Sequence, residues 1–76
     1  MFNNQTTKQN IQLNVGSTTA DICEILERCE SDSEIEECVS NIQRQGRCLF
    51  GANFNIRFDR SIISEKFRER VFIKFN

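Results

Sequence analysis

Four cysteines are the side chains of this sequence best suited to metal binding or redox chemistry. They occur at Cys23, Cys29, Cys38 and Cys48, with the spacing C-x5-C-x8-C-x9-C. Structural zinc sites place paired ligands two to four residues apart and redox dithiols use C-x-x-C, and neither pattern is present. There is also no histidine to complete a metal site or to activate a thiol. We therefore predict no metal site and no cofactor.

The same cysteines fit a structural role. Cys29, Cys38 and Cys48 lie on predicted core faces, where a free cysteine packs as a small apolar side chain. The alternative for two of them is a disulfide between Cys29 and Cys38, across the turn that joins two predicted helices.

Carboxylates are the other groups that could perform acid–base chemistry. A cluster comprises Glu24, Glu27, Glu30, Asp32, Glu34, Glu36 and Glu37. These positions fall on predicted solvent faces and helix caps, where no pocket would raise a carboxyl pKa. The sequence also lacks a glycine-rich phosphate loop and a catalytic triad, so the chain is predicted not to be an enzyme. The cluster is interpreted as solvated helix surface, with phosphate mimicry toward a basic groove as the alternative.

Two amphipathic helices are predicted from apolar residues repeating at i, i+3, i+4 and i+7. The first covers Thr18–Cys29 and the second covers Glu34–Gln45. Their apolar stripes are Ile22, Ile25, Leu26 and Cys29, and then Ile35, Cys38, Val39 and Ile42. The predicted caps are Ser17 or Thr18 for the first helix, Asp32 or Ser33 for the second, and Gly46 beyond the second helix.

Alternation of apolar and polar residues predicts three strands. A short strand carries Ile11, Leu13 and Val15, and a long strand covers Arg47–Phe58 with a bulge or bend at Gly51 and Ala52. A return strand covers about Lys66–Phe75, with a helical turn at 62–67 as the alternative for its start. The inward positions supply much of the core with Phe50, Phe54, Phe58, Phe67 and Phe75.

The predicted fold is α+β in the order β-α-α-β-β, with two helices packed on one face of a three-stranded, mostly antiparallel sheet. It covers residues 10–76 as a single domain, preceded by a flexible polar arm at 1–9. The sequence has no run of 18 apolar residues and no secretory signal pattern. A cytoplasmic protein without a membrane segment is therefore expected.

Charge is divided unevenly along the chain. Residues 1–43 contain eight acidic and two basic side chains, whereas residues 44–76 contain three acidic and eight basic ones. The net charge of −1 thus hides an acidic helical half and a basic sheet half. The outward positions of the sheet carry the predicted binding residues Arg47, Asn55, Arg57, Arg68, Arg70, Phe72 and Lys74.

These features favour a small protein–protein interaction module, such as an accessory, adaptor or inhibitor protein. Its basic sheet face or its acidic helical face would engage a larger protein partner. One alternative is a binder of single-stranded nucleic acid, in which basic groups follow the phosphates and Phe72 stacks on a base. The other is a homodimer or larger homo-oligomer in which the acidic half of one subunit meets the basic half of another.

Overall fold

Both predicted helices form in the computed structural model, which describes residues 11–76. In chain order the elements are helices α1 (Thr19–Glu27) and α2 (Asp32–Phe50), strand β1 (Asn55–Phe58), a 3₁₀ helix (Phe67–Arg70) and strand β2 (Val71–Lys74). The α+β class is confirmed. Over residues 11–76 the sheet has two strands, so the predicted three-stranded sheet is wrong. The arm predicted at 1–9 lies outside the described residues.

Side chains close the N-terminal ends of both helices. The hydroxyl of Thr18 accepts a hydrogen bond from the Asp21 N–H at 3.2 Å, and the Asp21 carboxylate accepts one from the Thr18 N–H at 2.9 Å. This reciprocal capping box confirms Thr18 as the cap of α1. The cap of α2 is Ser31, whose hydroxyl accepts a hydrogen bond from the Glu34 N–H, rather than the predicted Asp32 or Ser33.

Helix α2 is longer than predicted because Gly46 does not end it. The helix continues to Phe50, and the chain then turns at Gly51, whose φ of 119° favours glycine. Residues 47–50 are therefore helical, and only the last four residues of the predicted strand Arg47–Phe58 are extended. The bend expected at Gly51 is confirmed, but it separates a helix from a strand.

The two strands form an antiparallel pair. Ile56 lies opposite Ile73 and Phe58 lies opposite Val71, and both pairs face inward. The return strand predicted over Lys66–Phe75 is wrong in its first half, where Phe67–Arg70 forms the 3₁₀ helix.

Residues 11–16 do not join this sheet. The carboxamide of Gln45 on α2 accepts a hydrogen bond from the Leu13 N–H at 2.8 Å and donates one to the Ile11 carbonyl at 2.6 Å. A side chain thus satisfies backbone groups that a strand partner would otherwise satisfy. Ile11 and Leu13 pack against the core as expected, but Val15 is 77% exposed in a turn, contrary to its predicted inward position.

The core lies where α1, α2 and the hairpin meet. Its buried apolar side chains are Ile22, Cys23, Leu26, Ile35, Cys38, Ile42, Phe54, Ile56 and Val71. Phe54 is completely buried, with its ring centroid 5.4 Å from that of Phe50 and 5.5 Å from that of Phe75. Phe58 and Phe67 stack at 5.2 Å. The predicted phenylalanine core is confirmed, with four of the five rings partly buried rather than fully enclosed.

Candidate docking surface

The outer side of the hairpin brings together four of the seven predicted binding residues. Asn55 lies opposite Lys74, and Arg57 lies opposite Phe72. All four residues are exposed, and they alternate along their strands with the inward residues of the core. We call these four residues the outer sheet face. It carries two positive charges and no carboxylate.

Arg57 and Phe72 form a cation–π pair in the outer sheet face. The guanidinium carbon of Arg57 lies 4.6 Å from the centroid of the Phe72 ring. The Arg57 side chain is 61% exposed and Phe72 is 42% exposed. Such a pair contributes about 0.5–1 kcal/mol at an exposed site. It holds the guanidinium in one place while leaving most of the side chain open to solvent.

Asp59 lies just beyond β1 and binds the same guanidinium. Arg57 Nη1 lies 3.2 Å from Asp59 Oδ2. The other carboxylate oxygen accepts hydrogen bonds from the Ser61 hydroxyl at 2.6 Å and the Ser61 N–H at 2.9 Å. These bonds from Ser61, assisted by Arg57, lower the pKa of Asp59 below its ordinary value. Arg57 is therefore already paired with an ionised carboxylate at neutral pH.

Ser61→Ala is expected to raise the pKa of Asp59 toward 3.8, its ordinary value, because the hydroxyl donor to the carboxylate is lost. Because the pKa of Asp59 is lower in the folded state than in the unfolded chain, its ionised carboxylate stabilises the fold at pH values above the ordinary pKa. This stabilisation is lost as the pH falls through the pKa of the folded state. NMR titration of the Asp59 carboxyl carbon measures the change. Ser40→Ala, at an exposed position on α2, is the control and should leave that titration unchanged. An unaltered Asp59 titration in Ser61→Ala would contradict the assignment.

Arg47 lies on α2 rather than on a strand, which corrects its predicted position. Its Nε donates a hydrogen bond to the Phe54 carbonyl at 3.2 Å. The side chain thereby connects the last turns of α2 to the residue that precedes β1. Arg47 thus has a structural partner near the Asn55 end of the hairpin, and it is not one of the alternating residues of the outer sheet face.

Arg68 and Arg70 belong to the 3₁₀ helix, so they do not follow the strand alternation from which they were predicted. Arg70 is half-buried, and its Nη2 donates to the Ser64 carbonyl at 2.7 Å, which ties down the segment between the strands. Arg68 is exposed and lies near Cys23 of α1. Burial raises the pKa of the Cys23 thiol, and the Arg68 guanidinium offsets part of that rise. The outer sheet face therefore excludes both arginines.

A shallow groove between α2 and β1 adjoins the outer sheet face, and sequence reasoning did not identify it. Apolar side chains that include Val39, Ile56 and Phe58 line it, and Arg57 and Arg60 lie beside them. Arg60 is also paired with the carboxylate of Glu36 on α2. Because Arg57 lines the groove and belongs to the outer sheet face, the two surfaces are continuous.

The acidic cluster is surface, as expected, except that Glu34 is only partly exposed. Glu34 lies in the first turn of α2, where its carboxylate accepts a hydrogen bond from the Glu30 N–H at 2.7 Å. Carboxylates at the start of a helix are stabilised by its macrodipole. Glu34 therefore stabilises the start of α2, and the other carboxylates of the cluster add negative charge to the exposed surface of the helices.

One of the cysteine predictions needs correction. Cys38 is buried and Cys29 is partly buried against the core, as predicted, but Cys48 is exposed. Cys48 was assigned inward on the basis of strand alternation, and it lies on the exposed side of α2. Within residues 11–76, no three His, Cys, Asp or Glu side chains are grouped as a metal ion would require.

No protein-family model, curated protein or solved structure matches this chain. Among the described residues, neither helix is long and apolar enough to cross a membrane.

Proposed function

We propose that this protein is a non-enzymatic binding module whose outer sheet face docks onto an acidic surface of a larger protein. The Arg57–Phe72 pair carries the proposal. Arginine and aromatic residues are enriched among the few interface residues that contribute most of the binding energy. Here one of each is exposed, in contact, and placed on a two-stranded sheet supported by the core.

The charge of the surface indicates an acidic partner. Arg57 and Lys74 are cationic, and the one carboxylate in contact with Arg57, that of Asp59, lies beyond the end of β1 and outside the outer sheet face. The contact with Asp59 supports this choice, because it uses one guanidinium nitrogen of a donor group that can bind a carboxylate through two. A carboxylate of the partner would bind the remaining donors, and apolar atoms of the partner would cover the Phe72 ring and extend into the adjoining groove.

The contact between Arg57 and Phe72 favours a protein partner over single-stranded nucleic acid. Nucleic-acid surfaces of this kind use aromatic rings as stacking platforms for successive bases. Phe72 is the sole aromatic residue of the outer sheet face, and the Arg57 guanidinium already lies against its ring. Binding of nucleic acid and self-association with the acidic helices of a second copy are the outcomes against which the proposal is tested. A cytoplasmic location remains a prediction from the sequence.

Arg57→Glu is expected to reduce capture of the partner at least tenfold, since truncating an interface hot spot costs about 2 kcal/mol or more. The matched control is Arg44→Glu, which makes the same charge change at an exposed position on α2. Tagged wild-type and variant proteins are incubated with lysate of the source organism, with and without nuclease treatment, and the captured proteins are quantified. Arg57→Lys is expected to recover only part of the binding, because lysine lacks the planar, two-pronged donor.

A discrete protein captured by the wild type and by Arg44→Glu, and lost with Arg57→Glu, would support the proposal. Equal capture by both charge-reversed variants would refute the assigned surface. Capture that disappears on nuclease treatment would support the nucleic-acid alternative, and recovery of the bait protein alone would support self-association. Arg70 is left unchanged in this design, because its hydrogen bond to Ser64 makes its loss a structural change.

A further inference from the structure

The sulfur atoms of Cys29 and Cys38 lie 3.2 Å apart, with the Cys29 thiol donating a hydrogen bond to Cys38. Both residues are free thiols in this structure. A disulfide bond has an S–S length of about 2.0 Å, so an approach of about 1.2 Å would bring the two sulfurs to bonding distance. Eight residues lie between the two cysteines in the sequence, so it is the fold that brings their sulfur atoms together.

Local structure holds both sulfurs in place. Cys29 follows the end of α1, where its N–H donates to the Leu26 carbonyl at 3.1 Å, and its thiol lies 3.8 Å from the Ile25 carbonyl. The chain then turns and α2 begins after its cap, Ser31. Cys38 faces the core from α2 and is 3% exposed. The contact therefore joins the end of the first helix to the second helix.

We propose that Cys29 and Cys38 form a reversible intrachain disulfide when the protein meets a low-molecular-weight disulfide such as oxidised glutathione. In the first step, a thiolate of the protein attacks one sulfur of the glutathione disulfide. A mixed disulfide forms, and one glutathione thiolate leaves. In the second step, the other cysteine attacks the protein sulfur of the mixed disulfide and displaces the second glutathione. The two protein thiols are oxidised by two electrons, and their two protons are taken up by the two glutathione thiolates.

Access determines the order of the two steps. Cys29 is partly exposed and therefore accessible to a disulfide in solution, whereas Cys38 is buried and contacts Cys29 directly. Cys29 is therefore the residue that attacks glutathione, and Cys38 is the residue that resolves the mixed disulfide. Cys48 is exposed on α2 away from this pair, so its modification would stop at the mixed disulfide.

The rate of the first step depends on pH. Burial, the hydrogen bond with Cys38 and the carboxylate of Glu34 on α2 raise the pKa of the Cys29 thiol to about 12. The reactive thiolate is thus a small fraction at neutral pH, and that fraction grows about tenfold per pH unit up to the pKa. Formation of the disulfide is expected to accelerate about tenfold per unit between about pH 7 and 9, without a plateau.

The test counts free thiols in peptides that report on each cysteine separately. Reduced protein is incubated with oxidised glutathione and quenched with acid. It is then unfolded in denaturant, alkylated with N-ethylmaleimide at neutral pH and, after the denaturant is removed, digested with trypsin. Cys29 and Cys38 fall together in the tryptic peptide 29–44, whereas Cys23 lies in 9–28 and Cys48 lies in 48–57. In the reduced protein, peptide 29–44 carries two alkyl groups. After oxidation it is expected to carry none and to be lighter than its unmodified form by two hydrogen atoms.

The cross-link should also stabilise the fold. It closes a loop of ten residues in the unfolded chain, and the loss of chain entropy corresponds to a rise in Tm of about 15 °C for a domain of this size. The oxidised and reduced forms of the same wild-type protein provide this comparison without any substitution. Addition of dithiothreitol should restore the lower Tm and both alkyl groups.

Cys48→Ser is the control, and its peptide 29–44 should oxidise as in the wild type. Cys29→Ser and Cys38→Ser should each eliminate the intrachain product, and Cys38→Ser should stop at glutathione attached to Cys29. The proposal is overturned if peptide 29–44 still carries both alkyl groups at pH 9, once its alkylation no longer changes with time and glutathione is attached to Cys48. Disulfide-linked dimers with an unmodified peptide 29–44 would also overturn it.

Discussion

Phe54→Ala is expected to lower the free energy of unfolding by about 3–5 kcal/mol, the usual cost of truncating a fully buried phenylalanine. The Phe54 ring is completely buried and contacts the rings of Phe50 and Phe75. The core of a domain this small supplies only about 3–5 kcal/mol of net stability. The variant should therefore be largely unfolded at 25 °C, as measured by urea titration followed by circular dichroism.

Phe72→Ala is the matched control for this prediction. It removes the same ring from the exposed side of β2, where the ring is only partly covered, so the expected loss is about 1–2 kcal/mol including the contact with Arg57. Both variants should be compared under the same conditions, including a low temperature at which a destabilised fold is partly retained. If Phe54→Ala unfolds at the same urea concentration as Phe72→Ala, the placement of Phe54 at the centre of the core is wrong.

Helix boundaries explain the largest error in the fold predicted from the sequence. Residues 47–50 satisfy two periodicities at once. Cys48 and Phe50 continue the alternation of the following strand, whereas Phe50 also continues the helical spacing of Ile42 and Gly46. Glycine after an apolar stripe usually marks the end of a helix, which favoured the strand. In the structure, Gly46 has a different role. The ring of Phe54 lies against it and requires a residue without a side chain at this position, so the glycine serves tertiary packing and the helix continues beyond it.

The missing third strand has a different cause. Ile11 and Leu13 alternate with polar residues and turn toward the core, so their inward positions were correctly predicted. The pattern shows which side of the chain is apolar, and it does not show what satisfies the backbone. Gln45 does so through its carboxamide, which lies on part of α2 that is in contact with residues 11–13. No local pattern indicates that a side chain takes the role of a strand.

The sequence predicts the candidate surface correctly within β1 and β2, where residues alternate between inward and outward positions. Arg57 and Phe72 were each assigned outward from sequence, and both are exposed on the outer sheet face. Their mutual contact depends on the strand register, which the segment at 59–70 fixes by folding into a turn and a 3₁₀ helix. Arg68 and Arg70 were misassigned because that segment was counted as strand. The thiol contact of Cys29 with Cys38 was foreseen only as one alternative, since it depends on the angle between two helices.

Gly46→Ala is expected to lower the free energy of unfolding by about 2 kcal/mol. Alanine improves helix propensity by about 1 kcal/mol, but its methyl group would lie less than 3.0 Å from three carbons of the Phe54 ring. The contacts with Phe50 and Phe75 oppose movement of that ring, so the helix and the hairpin must separate. Overpacking costs about 1–3 kcal/mol, and contacts this short place Gly46→Ala at the upper end, so about 2 kcal/mol remains after the gain in propensity is subtracted. Urea denaturation at 25 °C measures the difference.

A double-mutant cycle with Phe54→Leu identifies the cause. Leucine replaces the rigid ring with a branched chain that can adopt another rotamer, so the cost of Gly46→Ala should fall by about 1 kcal/mol or more in that background. Gly51→Ala is the control, because its cost arises from a φ of 119° with no atom within 4 Å of the added methyl group. That cost should be the same in the wild-type and Phe54→Leu backgrounds, within about 0.5 kcal/mol. Additive effects of Gly46→Ala and Phe54→Leu would show that the cost at position 46 does not arise from contact with the Phe54 ring, and the long α2 would then need another explanation.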